Sequence, residues 1–324
     1  MRAAWYERNG PAAEVLTLGE MPDPEPGPGE ARVRLHASGV NPSDVKSRAG
    51  VTRKIAFPRV IPNSDGAGVI DRVGPDVDAG RVGSRVWVYN SQWERPFGTS
   101  AELICLPAAL VVPLPEGLSF EQGACLGIPV MTAHRCLFAD GPVAGKTVLV
   151  PGGAGVVGHY AVQLAKWAGA EVVATVSSGA KAEHARAAGA DHVLNYRTED
   201  VVARVRALTG GVDRIVEVDL GINLPVSIQI LKSSGTIAAY ASVGKPMPEL
   251  PYQAMMRNNL TVRVVLVYTM PEQAKADAAA DIARWVREGK PVFAVAARFP
   301  LAEIVEAHRT VERGEKLGHV VLEP

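Results

Sequence analysis

The chain has 324 residues, 47% hydrophobic and 21% charged, with 34 Lys and Arg balanced by 34 Asp and Glu. That length accommodates about two domains with separate cores, and the composition is that of a folded chain, not a disordered one. Zero formal charge removes any overall pull towards nucleic acid or an anionic membrane, and the longest apolar runs fall well short of the ~18 residues that span a bilayer.

At the start, residues 1–7 meet charge too early for a secretory leader, so a cytoplasmic chain is expected. Residues 21–29 are rich in Pro and Gly and can form neither helix nor central strand. Residues 31–37 alternate with period two, and 66–74 and 83–89 are further short strands bounded by glycine. Such a texture predicts a compact, barrel-like β domain. Cys105, Cys125 and Cys136 make no CxxC pair and no even set. They are expected to be buried apolar residues in a reducing compartment.

Near residue 120 the texture changes. Ser119, followed three residues later by Gln122, signals the start of a helix over 123–138. Strands at 147–150 and 171–176 then alternate with helices at 156–167 and 180–188. Further strands follow at 192–194, 214–217, 236–240 and 260–267. About six strands with intervening helices predict an α/β fold with a doubly wound parallel sheet. Strand 260–267 is long and β-branched and carries one charge. As the last strand it should lie at a sheet edge, where unpaired backbone groups invite a second copy of the chain. Helices at 272–288 and 300–313 and a strand at 319–322 close the sequence. The α/β block, residues 122–267, thus reads as an insertion between residues 1–121 and 268–324 of a β-rich domain.

One turn carries chemistry. Pro151-Gly152-Gly153-Ala154-Gly155-Val156-Val157-Gly158 leaves a strand and opens a helix. Gly152 permits the tight turn, Gly155 lets the backbone approach a pyrophosphate, and Gly158 lets the helix pack closely. Helix-end N–H groups and the helix dipole face the anion, so Ala154, Val156 and Val157 are expected beside the cofactor with the three glycines. The end of the second strand selects the dinucleotide. An Asp or Glu there would bond a ribose 2′-OH and repel a 2′-phosphate. This chain instead has Ser177, with Lys181 just beyond and Tyr196-Arg197 after the third strand. Solvated surface charge would explain the cations but not the missing acid. NADPH is therefore the expected cofactor.

Several strings resemble the medium-chain dehydrogenase/reductase superfamily, and within it the zinc-free, zeta-crystallin-like NADPH:quinone oxidoreductases and related enone reductases. They are Gly39-Val40-Asn41-Pro42-Ser43-Asp44, Ile61-Pro62-Asn63-Ser64-Asp65-Gly66-Ala67-Gly68-Val69, Gly98-Thr99-Ser100-Ala101-Glu102, residues 189–197 and residues 318–322. The resemblance implies a Rossmann domain inserted in a GroES-like β-barrel catalytic domain, a cleft between the two, and a homodimer. The superfamily's zinc alcohol dehydrogenases place a metal-ligand cysteine where this chain has Asn41, and a Gly-His-Glu string at Asn63-Ser64-Asp65. Zinc needs three or four converging ligands, so no metal is expected.

Chemistry without a metal requires an electron-poor acceptor beside the nicotinamide. A quinone suits this, and so does an α,β-unsaturated carbonyl whose oxygen receives a donor. Asn41, Asp44 and Lys46 form the loop that resembles the floor of the nicotinamide site. Quinone-type members often carry tyrosine where this chain has Lys46, whereas enone-reducing relatives often carry lysine. Asp44 is expected to orient the loop by bonding backbone N–H groups. By the same resemblance, Thr132, Asn223, Tyr240, Ala241, Ser242, Val264, Val265 and Leu266 are expected around the cofactor, although plain sheet core would equally account for the valines. A second function class stays open: a dinucleotide-binding protein with little turnover, in crystallin-like or RNA-binding roles. Net neutrality argues against RNA.

Overall fold

The period-two pattern at 31–37 is realised as an eleven-residue strand, Glu30–Val40, in a computed structural model that describes residues 1–324. This strand pairs antiparallel with Asp65–Val73, Leu103–Pro107 and the C-terminal strand His319–Glu323. The sheet runs Val295–Pro300, His319–Glu323, Glu30–Val40, Asp65–Val73, Arg85–Val88, Val111–Pro113. Its inward side chains include Val33, Leu35, Ile70, Val86, Val88, Ile104 and Leu106, the apolar core that alternation requires. The last strand returns to pair beside the first long one, so the two ends of the chain build one GroES-like unit, Met1–Ile128 with Phe293–Pro324.

The second unit is Pro129–Val292. Six parallel strands stand in the order 192–195, 171–176, 147–151, 212–217, 231–239, 261–264. This is the doubly wound Rossmann arrangement, with its topological switch beside strand Thr147–Pro151. The strands read as near-continuous apolar runs because helices cover the sheet, and Val148, Val150, Val172, Val173, Ile215, Val216 and Ile237 are all buried.

Several expectations change. The single helix over 123–138 is two: Phe120–Gly123, started by the Ser119–Gln122 capping box, and Ile128–Phe138. The break is fixed by a distant carboxylate. Asp65 Oδ2 accepts the Ile128 N–H at 2.9 Å, and a Cβ at Gly127 would meet Asp65 Oδ1 at 2.1 Å. Pro129, which has no N–H to satisfy, suits the first turn that follows. The segment after Asn41, expected as a loop, is the helix Pro42–Ala49 with Asn41 at its N-cap.

The sixth strand is shorter than expected, Thr261–Val264. The Val265 N–H still bonds Ala239 O at 2.8 Å, and the chain then leaves into a short turn at Val267–Thr269. The units also meet the chain later than 121/122 and 267/268, at 128/129 and 292/293. Helix Glu272–Gly289 buries Ala278, Ile282 and Trp285, with the Trp285 ring edge-on to Tyr160 at 6.1 Å, and so belongs to the Rossmann unit.

Candidate functional site

The glycine turn has the geometry its sequence calls for. Gly152 sits at φ +67, a backbone state that side chains with a Cβ resist. Gly155 is the N-cap of helix Val156–Trp167. A Cβ at Gly158 would stand 2.3 Å from Gly152 O, so the helix packs against the turn itself and not only on the sheet. Helical geometry leaves the first-turn N–H groups of Val156, Val157 and Gly158 without carbonyl partners. Together with the helix dipole they form a cradle for a phosphate. Ala154, within the same turn, is buried.

At the end of the second strand, Lys181 Nζ donates to Ser177 Oγ at 3.1 Å. Ser178 caps the following helix, Gly179–Ala187. The Tyr196 N–H bonds Val176 O at 3.1 Å, which brings the backbone after the third strand beside the end of the second, and the Tyr196 side chain is exposed. A hydroxyl and an ammonium are thus held together at the end of this strand, where a carboxylate would bar a 2′-phosphate. Donor chemistry and cradle both fit a phosphorylated dinucleotide.

The remaining candidates on this unit separate. Asn223 donates through Nδ2 to Glu217 Oε1 at 2.7 Å, leaving its Oδ1 for a ligand. Glu217 was not anticipated. It is fully buried at the end of the fourth strand, its Oε2 finds no partner, and burial pushes its pKa up. Ser242 closes a loop, accepting the Gly221 N–H at 3.0 Å and donating to Lys245 O at 2.6 Å. Ala241 O accepts the Leu220 N–H. Tyr240 is half-buried, with its phenol pushed far above the ordinary range by desolvation. Val265 is buried, whereas Val264 and Leu266 are exposed on the edge strand and just past it. Thr132 is buried in helix Ile128–Phe138.

In the GroES-like unit, a buried polar centre joins three stretches distant in sequence. The Asn41 N–H donates to Asp44 Oδ2 at 2.8 Å, closing the first helical turn. Asn41 Nδ2 donates to Asp65 Oδ2 at 2.7 Å. Thr99 Oγ1 bonds Asp65 O and Ser38 Oγ, each at 2.8 Å. Burial raises the pKa of Asp44 to about 7, against the lowering effect of its bonds from Asn41 and Ser64, and that of Asp65 is raised by burial and by the neighbouring Asp44. Lys46 lies on the same helix as Asp44, half-buried and with no ion pair or side-chain hydrogen bond. Asn63 and Asn90 adopt φ +70 and +53 and carry buried amide atoms without partners. Asp65, Asn63 and Asn90 are functional candidates that sequence reasoning missed. For Asn63 and Asp65 the signal was the Asn63-Ser64-Asp65 string, read for the family resemblance and for the metal ligands it lacks but not for a polar role; Asn90 left no such signal. No three His, Cys, Asp or Glu side chains gather where they could hold a metal ion.

A GroES-like unit joined to a Rossmann unit with a phosphate cradle defines a dinucleotide-dependent oxidoreductase. Comparison with known proteins agrees. The family model described as "Alcohol dehydrogenase GroES-like domain" matches residues 27–116, and "Zinc-binding dehydrogenase" matches 156–284. Mouse quinone oxidoreductase is 33% identical over 329 residues, covering 98% of this chain and 96% of that protein. A 2-haloacrylate reductase of Burkholderia is 30% identical over 335 residues, covering 100% and 99%. The solved structure of Escherichia coli quinone oxidoreductase complexed with NADPH superposes with a TM-score of 0.87 at 25% identity, covering 100% of both chains. This chain belongs to the zeta-crystallin-like quinone oxidoreductase family of medium-chain dehydrogenases/reductases.

Proposed function

We propose that the protein is an NADPH-dependent reductase of quinones or α,β-unsaturated carbonyl compounds, working without a metal. The observation that carries this is the end of the second strand, where Lys181 and Ser177 hold each other and no carboxylate intervenes. The turn Gly152–Gly158 would receive the pyrophosphate, and Ser177, Lys181 and Tyr196 the 2′-phosphate. When bound, NADPH supplies a hydride from C4 of its nicotinamide.

Residues of the GroES-like unit hold the acceptor and stabilise charge on it. Asn41 is locked by Asp44 and Asp65, so its helix N-terminus is a fixed polar surface. Lys46 is a cation not spent on another side chain, available to an oxygen that gains negative charge. The names of the relatives span both acceptor types. The deciding experiment follows NADPH oxidation across a panel of quinones, enones and aldehydes. Turnover with quinones or enones, and none with saturated aldehydes, is expected. Rapid aldehyde reduction would overturn the assignment.

A further inference from the structure

One cation of the GroES-like unit has no part in the sites described so far. Arg53 follows the helix Pro42–Ala49, and the chain between them is turned back by the Val51 N–H bonding Lys46 O at 2.9 Å. Its guanidinium is half-buried, donates to Gln92 Oε1, and lies over the Trp93 ring at 5.5 Å. Gln92 is buried and held in turn, its Nε2 donating to Arg95 O at 2.8 Å. Arg53 is thus fixed by a neutral amide and an aromatic face, and no carboxylate pairs with it. Its charge still acts on Asp44 of the polar centre.

The backbone beside Gln92 carries buried polar side chains without partners. The Ser91 N–H bonds Ser64 O at 3.1 Å, tying residues 90–93 to the Asn41–Asp44–Asp65 network. Asn90 is 4% exposed at φ +53, and neither atom of its amide is bonded. Ser91 is fully buried, and its hydroxyl has no partner. A strained backbone holding unspent donors costs stability, and such costs persist where a ligand satisfies them. Asp44 and Asp65 are buried and each takes a bond from Asn41, and no carboxylate forms an ion pair with Arg53.

We propose that this corner anchors an anionic acceptor, an α,β-unsaturated carboxylate, with Arg53 fixing the carboxylate and Asn90 and Ser91 bonding its polar edge. This rests on the reductase reading above and narrows its substrate class. The step balances. A hydride from NADPH adds to the β-carbon and leaves NADP+. The electron pair of the C=C bond moves into the carboxylate, and a solvent proton then adds at the α-carbon. A guanidinium with its planar donor fork is suited to hold a carboxylate while charge accumulates there.

The test compares crotonate with methyl crotonate, its uncharged ester, and with 1,4-benzoquinone. Crotonate should be preferred over the ester at least tenfold in kcat/KM. In Arg53→Gln the ratio of crotonate to benzoquinone should fall at least tenfold, and Arg53→Lys should recover part of it. A second readout needs no cofactor. Butyrate titrated into the protein should change tryptophan fluorescence saturably, and the change should vanish in Trp93→Phe and in Arg53→Gln. Equal treatment of acid and ester alongside benzoquinone turnover would overturn the anionic subsite while leaving the reductase reading intact. No turnover with any acceptor would overturn the reductase reading, and the butyrate titration would then decide the subsite alone. Absence of a saturable signal would overturn it.

Discussion

Lys46 and Asp44 share one helix and differ in environment. Lys46 is half-buried with no partner, so its ammonium is free to meet a charged oxygen. A preorganised donor of this kind is worth about 2–4 kcal/mol in a transition state. Lys46→Met removes the charge and keeps the length, so enone turnover should fall roughly a hundredfold while NADPH affinity changes little. Steady-state kinetics and cofactor titration check both halves. Unchanged turnover would return Lys46 to ordinary surface charge. Asp44 is governed by burial, which lifts its pKa to about 7. Between about pH 4 and pH 7 the folded chain then keeps a proton that the unfolded chain has released. The folded state binds more protons in that window, so stability falls as pH rises through it. Asp44→Asn cannot ionise, and relative to the parent its stability should improve by roughly 3 kcal/mol from pH 5 to pH 8. Urea unfolding at the two pH values measures this. An identical difference at both would place the Asp44 proton back in the ordinary carboxylate range.

Among the elements, the edge strand of the Rossmann sheet has the clearest consequence. Thr261–Val264 ends the strand order, and Val264 is 79% exposed, with Leu266, Tyr252 and Met256 also exposed nearby in sequence. An uncovered edge bearing apolar side chains is a template for another copy of the chain. A homodimer through this strand is expected, and Val264→Lys should shift it to monomer in light scattering at micromolar concentration. A parent that is itself monomeric would refute the assignment. The elements also divide by how they can be read. Helix Val156–Trp167 and strand Glu171–Val176 coincide with their sequence patterns because each pattern is local and strongly periodic. The break at 124–127 does not, because its cause is Asp65, 63 residues before the Ile128 it bonds.

For the whole molecule, the cofactor and the missing metal can be tested together. NADPH should bind at least tenfold more tightly than NADH, a difference of about 1.4 kcal/mol, modest for a phosphate meeting Lys181. Fluorescence titration with both nucleotides measures it, and equal affinities would contradict the role given to Ser177 and Lys181. Turnover should survive prolonged chelation. Loss of activity that returns with stoichiometric zinc would reopen the alcohol dehydrogenase reading. By itself the sequence determined the fold class, the glycine cradle and the absence of an acid after the second strand, because each is written in contiguous residues whose spacing fixes a backbone shape. Only the tertiary structure decided that Asn41, Asp65 and Thr99 share one buried centre, that Asn223 is held by Glu217, and that Arg53 stands beside Trp93 with no carboxylate partner. Those relations are hydrogen bonds and ring contacts set by which strands and turns are packed side by side. Pairing in space carries no periodic mark along the chain.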